Sequence, residues 1–406
     1  MWMYNTNLIK SIMLESFYQT HDYLVSHVKP PIRRMLMDEV NWDDRLIAIK
    51  GGRGVGKTDF LLGFAKEWQA KNPEKAKQIL YVNFNNFYFT QHTLYEFAGE
   101  FVKAGGRRLL LDQAFKYRNW SKELRDCYYH YPKLQIVFVA SPVMRLIEGN
   151  QDIGNLVKMY NLRGFSFREY LSIKLQINLR SYKLEEILND HEAIAEQIVA
   201  RVHPLEHFGE YLEKGYYPMG FETNSFQDQL LKIMNMMLEV DVLLIKQIDV
   251  AYLGRLRTLL YMLMSEVPCG LNVTKLAEGI STSRATVMNY IKCLKDARLL
   301  NLLYTDGKQF PMKPSRVYMQ NPNLCFALPS RDVTAKDVSE TFFYSALHGT
   351  HKLNAIENAS FWVDRKMRID VCATMPKKEI FRYTAVADIE VGKNKLIPLW
   401  LFGFLY

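Results

Sequence analysis

The sequence predicts an α/β protein: a mostly parallel sheet in its first half, then a helical stretch, then two smaller units. Three observations carry this. Over the first half, short apolar runs alternate with amphipathic stretches, the pattern of a sheet covered on both faces. A glycine cluster, Gly51-Gly52-Arg53-Gly54, stands directly after the first such run. Beyond residue 250 the pattern changes to three short helices, a hairpin and a second set of strands. The 406 residues admit two or three domains at about 150 residues each. The changes of pattern put units at 1–170, 171–250, 251–328 and 329–406.

Taken in order, residues 45–49 form the first strand and 59–70 the helix after the glycines. Residues 79–84, 108–111 and 135–139 are three more strands, four to six residues long, as buried strands usually are. From about 165 to 249 the period is helical, with Leu- and Ile-rich stretches such as 230–244, and 171–250 reads as a helical lid or linker. Residues 255–264, 273–279 and 283–297 are three helices. The pair Asp306-Gly307 then suits a turn between Leu302-Leu303-Tyr304 and Arg316-Val317-Tyr318. That order of elements is a winged helix-turn-helix. In the last unit, a helix over 339–347 and strands at 361–363, 368–372 and 387–391 make a small α/β fold.

Gly51-Gly52-Arg53-Gly54-Val55-Gly56-Lys57-Thr58 matches GxxxxGK[ST] between a strand and a helix. Glycines let backbone N–H groups turn inward around phosphates, and the following helix N-terminus adds its partial positive charge. Lys57 is expected on the β- and γ-phosphates of a bound nucleotide and the Thr58 hydroxyl on Mg²⁺. A second strand ends Leu109-Leu110-Leu111-Asp112, which makes Asp112 the other Mg²⁺ candidate. Hydrolysis also needs a base beside that aspartate, and the next residue is Gln113. An amide aligns water but is a very poor base.

Several segments together resemble a family. Asn41-Trp42-Asp43-Asp44-Arg45-Leu46-Ile47-Ala48-Ile49-Lys50 precedes the loop, Leu111-Asp112-Gln113 is followed by Tyr117-Arg118-Asn119-Trp120, and Tyr160-Asn161-Leu162-Arg163-Gly164 runs into Phe165-Ser166-Phe167-Arg168-Glu169-Tyr170. Over nearly the whole chain this is similar to prokaryotic AAA-superfamily ATPases with a C-terminal winged helix and a terminal domain resembling restriction endonucleases. The resemblance implies an AAA-like P-loop fold that binds ATP and Mg²⁺. Three departures fall around the γ-phosphate. The family's Asp-Glu pair reads Asp112-Gln113. Its polar sensor strand reads Val139-Ala140-Ser141, leaving Ser141 as the contact. Its Arg pair is replaced by Asp152-Ile153-Gly154, with Arg145 and Arg163 as candidate substitutes. The expected outcome is nucleotide binding with weakened hydrolysis, its catalytic set being Lys57, Asp112, Gln113 and Ser141.

Residues 251–320 hold ten Lys and Arg against four Asp and Glu, six of the chain's net nine positive charges. On or beside the third helix, Thr282, Ser283, Arg284, Thr286, Asn289, Tyr290 and Lys292 are types suited to phosphate and base-edge contacts. Ser283, Arg284, Thr286, Asn289 and Lys292 are the DNA-binding candidates, and a DNA-binding regulator with a structural nucleotide site is the second reading. The family leaves open a winged helix that only packs between domains.

By the same resemblance the tail offers Glu340, Asp370, Glu390 and Lys393 for a metal-dependent nuclease. Glu390-Val391-Gly392-Lys393 has one residue too many for a Glu-x-Lys strand, so a recognition or protein-docking role is expected there instead. The apolar run 399–406 is expected to pack as a strand or to meet a partner.

Composition closes off other classes. Hydrophobic residues make 49% and charged residues 23%, ordinary globular usage that excludes disorder and fibrous repeats. The longest nearly uncharged apolar stretch, 397–406, is far shorter than a membrane span, and residues 1–5 do not read as a secretory leader. A cytoplasmic protein without membrane contact is expected. Five scattered cysteines lack metal-finger spacing.

Overall fold

The computed structural model describes residues 2–147, 150–221, 225–328, 332–377 and 381–406, and of residues 2–12 the backbone alone. The boundary expected at 328/329 therefore falls at the edge of the described residues. The chain forms two compact units, Met1–Arg163 and Gly164–Tyr406.

The first unit runs α1 (Trp2–His27), α2 (Leu36–Glu39), β1 (Leu46–Lys50), α3 (Lys57–Lys71), β2 (Ile79–Asn83), α4 (Leu94–Lys103), β3 (Arg108–Asp112), α5 (Trp120–His130), β4 (Gln135–Ala140) and β5 (Lys158–Asn161). All five strands are parallel, in the order β2-β3-β4-β1-β5. The four expected strands are buried nearly end to end, as helices on both faces require. Strand β5 is the sheet's other edge and is mostly exposed.

Helix α1 covers the outer edge of β2. There the Tyr81 N–H points away from β3 and donates to His21 Nδ1 at 3.0 Å. The neutral ring then carries its proton on Nε2, which lies 3.0 Å from the end of the Gln69 side chain and is satisfied when the amide presents its oxygen there. The Tyr18 hydroxyl donates to the Lys77 carbonyl at 2.6 Å. An edge strand that would offer unpaired groups to another chain is thus closed by side chains.

The second unit begins with α6 (Phe167–Leu175), α7 (Leu184–Val199), α8 (Pro204–Glu210), a π-helical turn (Tyr211–Gly215) and α9 (Phe226–Met236). Three helices follow: α10 (Leu253–Glu266), α11 (Val273–Gly279) and α12 (Arg284–Asp296). Strands β6 (Leu300–Leu303) and β7 (Arg316–Met319) then pair antiparallel. Gly307 takes its turn position with φ 76°. Last come α13 (Ala335–Leu347), β8 (Leu353–Ile356), β9 (Ala359–Val363), β10 (Met367–Cys372), β11 (Tyr383–Val386) and β12 (Leu396–Pro398). Strands β8 to β10 are antiparallel, and β11 and β12 extend the sheet in parallel.

Several expectations are corrected here. The segment read as a lid or linker packs into one core with the terminal sheet: Leu171, Leu188, Phe208 and Tyr211 lie among Phe342, Phe361, Trp400 and Phe404. The strand expected at 387–391 lies at 383–386, and residues 387–395 form the loop before β12. The terminal apolar run is a buried 3-10 helix (Leu399–Phe404), because its aromatics are needed on all sides of that core. Strands β8 and β12 were not foreseen.

The segment Ser166-Phe167-Arg168-Glu169-Tyr170 has a structural account. Ser166 and Glu169 form a capping box at the start of α6. The Ser166 hydroxyl and Arg168 Nε both donate to the Tyr406 carbonyl, at 2.7 and 2.9 Å, and Arg168 Nη1 donates to Leu179 O at 3.0 Å. Phe167 and Tyr170 fill the core.

Replacing His21 with Leu strands the Tyr81 N–H, and denaturant unfolding should show a loss of about 1–3 kcal/mol. Burial lowers the His21 pKa below its ordinary value. The unfolded chain therefore binds the extra proton first, so wild-type stability holds above about pH 6.5 and declines below it. His21→Leu should flatten that decline.

Candidate functional site

The loop between β1 and α3 opens at the C-terminal edge of the parallel sheet, beside the ends of β4 and β3. Gly54 and Gly56 have φ of 81° and 87°, left-handed positions that turn successive N–H groups inward and that residues with a Cβ take at a cost. Gly51 is needed for space: a Cβ there would lie 2.5 Å from the Leu162 carbonyl at the end of β5. Arg34 braces the same base, donating to Arg163 O at 2.7 Å and to Val55 O at 3.4 Å.

Lys57, the first residue of α3, turns its ammonium onto the loop's own carbonyls, Gly51 O at 2.9 Å and Gly52 O at 2.6 Å. Thr58 follows it, and its hydroxyl donates to Asp112 Oδ2 at 2.6 Å. A hydroxyl and a carboxylate in contact are hard oxygen donors that suit Mg²⁺, with Asp112 acting through the ion's water shell. Asp112 is 1% exposed, and its oxygens take two further donors: the Tyr81 hydroxyl on Oδ2 at 2.9 Å and the Gln113 N–H on Oδ1 at 2.7 Å. Gln113 has φ 60°, so the chain leaves β3 through a left-handed residue. Its side chain is an amide where a base would be needed. The Arg53 guanidinium lies 5.7 Å from the Phe115 ring.

Ser141 follows β4 and is buried, between Asp112 and the loop along the strand order. Asp152, at the position of the expected Arg pair, accepts from Ser121 at 2.8 Å and from Arg125 at 2.6 Å. Arg145 is exposed and Arg163 half-buried. Sequence reasoning missed Tyr81, Arg34 and Arg125. Tyr81 lies two residues before Asn83, the register partner of Asp112, so a tyrosine on the same strand face was the available signal.

Residues 43–171 match the model of a family described as AAA domain. That span holds the glycine loop, all five strands of the parallel sheet and the first residues of α6. Residues 205–327 match a second model, described as a domain of unknown function (DUF8612). An uncharacterized protein of Methanocaldococcus jannaschii is 23% identical over 320 residues, 71% of this chain and 67% of that protein. Among solved structures, ORC2 of Aeropyrum pernix, in ADPNP and ADP complexes, is 14% identical with a TM-score of 0.36, covering 70% of this chain and 86% of that one. AMPPCP-bound DnaA from Aquifex aeolicus is 15% identical with a TM-score of 0.26, covering 62% and 82%.

Outside residues 43–171, the DNA-binding candidates separate. Ser283 Oγ caps α12 by accepting from Thr286 N at 3.1 Å and lies 2.9 Å from Thr286 Oγ1. Tyr290 is turned inward and buried, which removes it from the face it was expected to share. Arg284, Asn289 and Lys292 are exposed. The Lys292 ammonium lies 4.6 Å from the Phe310 ring, which holds the β6–β7 connection against α12.

In the terminal sheet, Glu340 is buried and accepts from Arg316 at 2.9 Å and Tyr318 at 3.2 Å. Asp370 accepts from the Ser360 N–H at 3.1 Å and pairs with Arg382 at 3.4 Å. Glu390 and Lys393 lie in the loop before β12 and not on a strand. Among the described residues no group of three or more His, Cys, Asp and Glu is placed to hold a metal. No helix among them is long and apolar enough to cross a membrane.

Gly51→Ala should destabilise the first unit by about 1–3 kcal/mol through the clash with Leu162, read as a lower denaturation midpoint.

Proposed function

We propose that the AAA domain binds ATP with Mg²⁺ and hydrolyses it slowly, and that the second unit responds to the bound state. The observation that carries this is the Thr58–Asp112 contact at 2.6 Å beside a complete phosphate loop. On this reading Lys57 leaves the Gly51 and Gly52 carbonyls for the β- and γ-phosphates, loop N–H groups cradle them, and Thr58 and Asp112 hold the cation. The cation shields the phosphates' charge when bound. Ser141 faces the γ-phosphate side, and Gln113 aligns water without accepting its proton.

A second reading rests on a separate observation. Of the cations in 251–320, Arg257, Lys275 and Arg316 are held by Glu239, Glu266 and Glu340. Arg284, Lys292, Lys308 and Lys313 make no ion pair with a described residue and are exposed on α12 and the β6–β7 connection. Taken as a winged helix, this surface suits DNA phosphates, with Asn289 available to a base edge. Residues 329–406 then serve as an endonuclease-like scaffold that docks a partner; nuclease chemistry lacks support, since Glu340 and Asp370 already have cationic partners.

ATP binding, followed with a fluorescent analogue in MgCl₂, should be lost on Lys57→Ala; a wild type that shows no affinity sinks the nucleotide reading. Gln113→Glu should raise slow wild-type turnover by about 10²-fold or more if a base is what is missing. A fast wild type that gains nothing removes the weakened-hydrolysis claim. Duplex DNA binding should weaken steeply with salt and fall on Arg284→Ala with Lys292→Ala; no binding even at low salt ends the second reading.

A further inference from the structure

Tyr81 has a place in this site that the loop motif does not contain. Its ring is 3% exposed in the sheet's core, and its hydroxyl reaches forward from β2 to Asp112 on β3. The Tyr81 hydroxyl and the Thr58 hydroxyl donate to the same oxygen, Oδ2, at 2.9 and 2.6 Å, while Oδ1 is held by the Gln113 N–H. The backbone of Tyr81 is fixed in turn, its N–H bonded to His21 on α1. A phenyl ring would fill nearly all of this volume, so packing alone does not call for the hydroxyl.

We propose that Tyr81 is a positioning residue for the divalent cation: its hydroxyl aims the Asp112 carboxylate so that Thr58 and Asp112 hold Mg²⁺ with the nucleotide. The assignment rests on the nucleotide reading above. An outer group that orients a carboxylate at a metal site, here one acting through the ion's water, can change metal affinity by about 10-fold.

The test titrates MgCl₂ into the protein with a fluorescent ATP analogue, and measures the same analogue in EDTA. Tyr81→Phe should leave metal-free affinity within about twofold and raise the Mg²⁺ half-saturation by about 10-fold. In an Asp112→Asn background, Tyr81→Phe should change neither quantity. A Tyr81→Phe protein with wild-type Mg²⁺ dependence overturns the assignment while leaving the nucleotide reading intact. So does an equal loss with and without metal, which would mark a general packing role. A wild type that binds no analogue under either condition overturns both. Matching far-ultraviolet circular dichroism and a cooperative melt check that each variant is folded.

Discussion

A carboxylate buried at the edge of a parallel sheet must have its oxygens occupied, and Asp112 meets that requirement from three directions. Thr58 arrives from the start of α3, Tyr81 from the neighbouring strand, and the Gln113 N–H from the residue that follows. Each of these fixes something larger. The Thr58 bond sets where α3 begins relative to β3, and so where the glycine loop opens. The Tyr81 bond sets the face of β2, and through His21 ties the edge strand to α1. The Gln113 bond holds the point where the chain leaves β3, at a left-handed residue. Loop, edge strand and covering helix are therefore parts of one polar arrangement around a single side chain, where an unmet donor or acceptor would be costly.

What the sequence made legible follows from the same physics. The four inner and near-edge strands are continuous apolar runs because both faces are covered, and the loop carries glycines because its backbone turns left-handed. Strand β5 reads Lys158-Met159-Tyr160-Asn161; an exposed edge strand has no apolar run to announce it. Tyr81 was hidden inside a run that looked purely apolar, since its hydroxyl partner lies 31 residues away. Tyr290 was misplaced because an aromatic on a helix can face inward or outward, and only the packing against α10 decides. The Glu390 to Lys393 stretch was taken as part of a strand from its apolar neighbours, whereas the parallel pairing of β11 with β12 requires a connecting loop in that place.

The second unit shows how strongly a core can join segments distant in sequence. Residues of α6 to α8 and residues of the terminal sheet fill one aromatic interior, with Leu303 and Tyr318 of the β6–β7 pair also inside it. The stretch between, from α9 through α12, thus leaves the core at one end and re-enters it at the other. It is a closed excursion and not a dangling arm. A single cut of the backbone between α10 and α12 would therefore yield two bands on a denaturing gel and one particle of unchanged hydrodynamic radius.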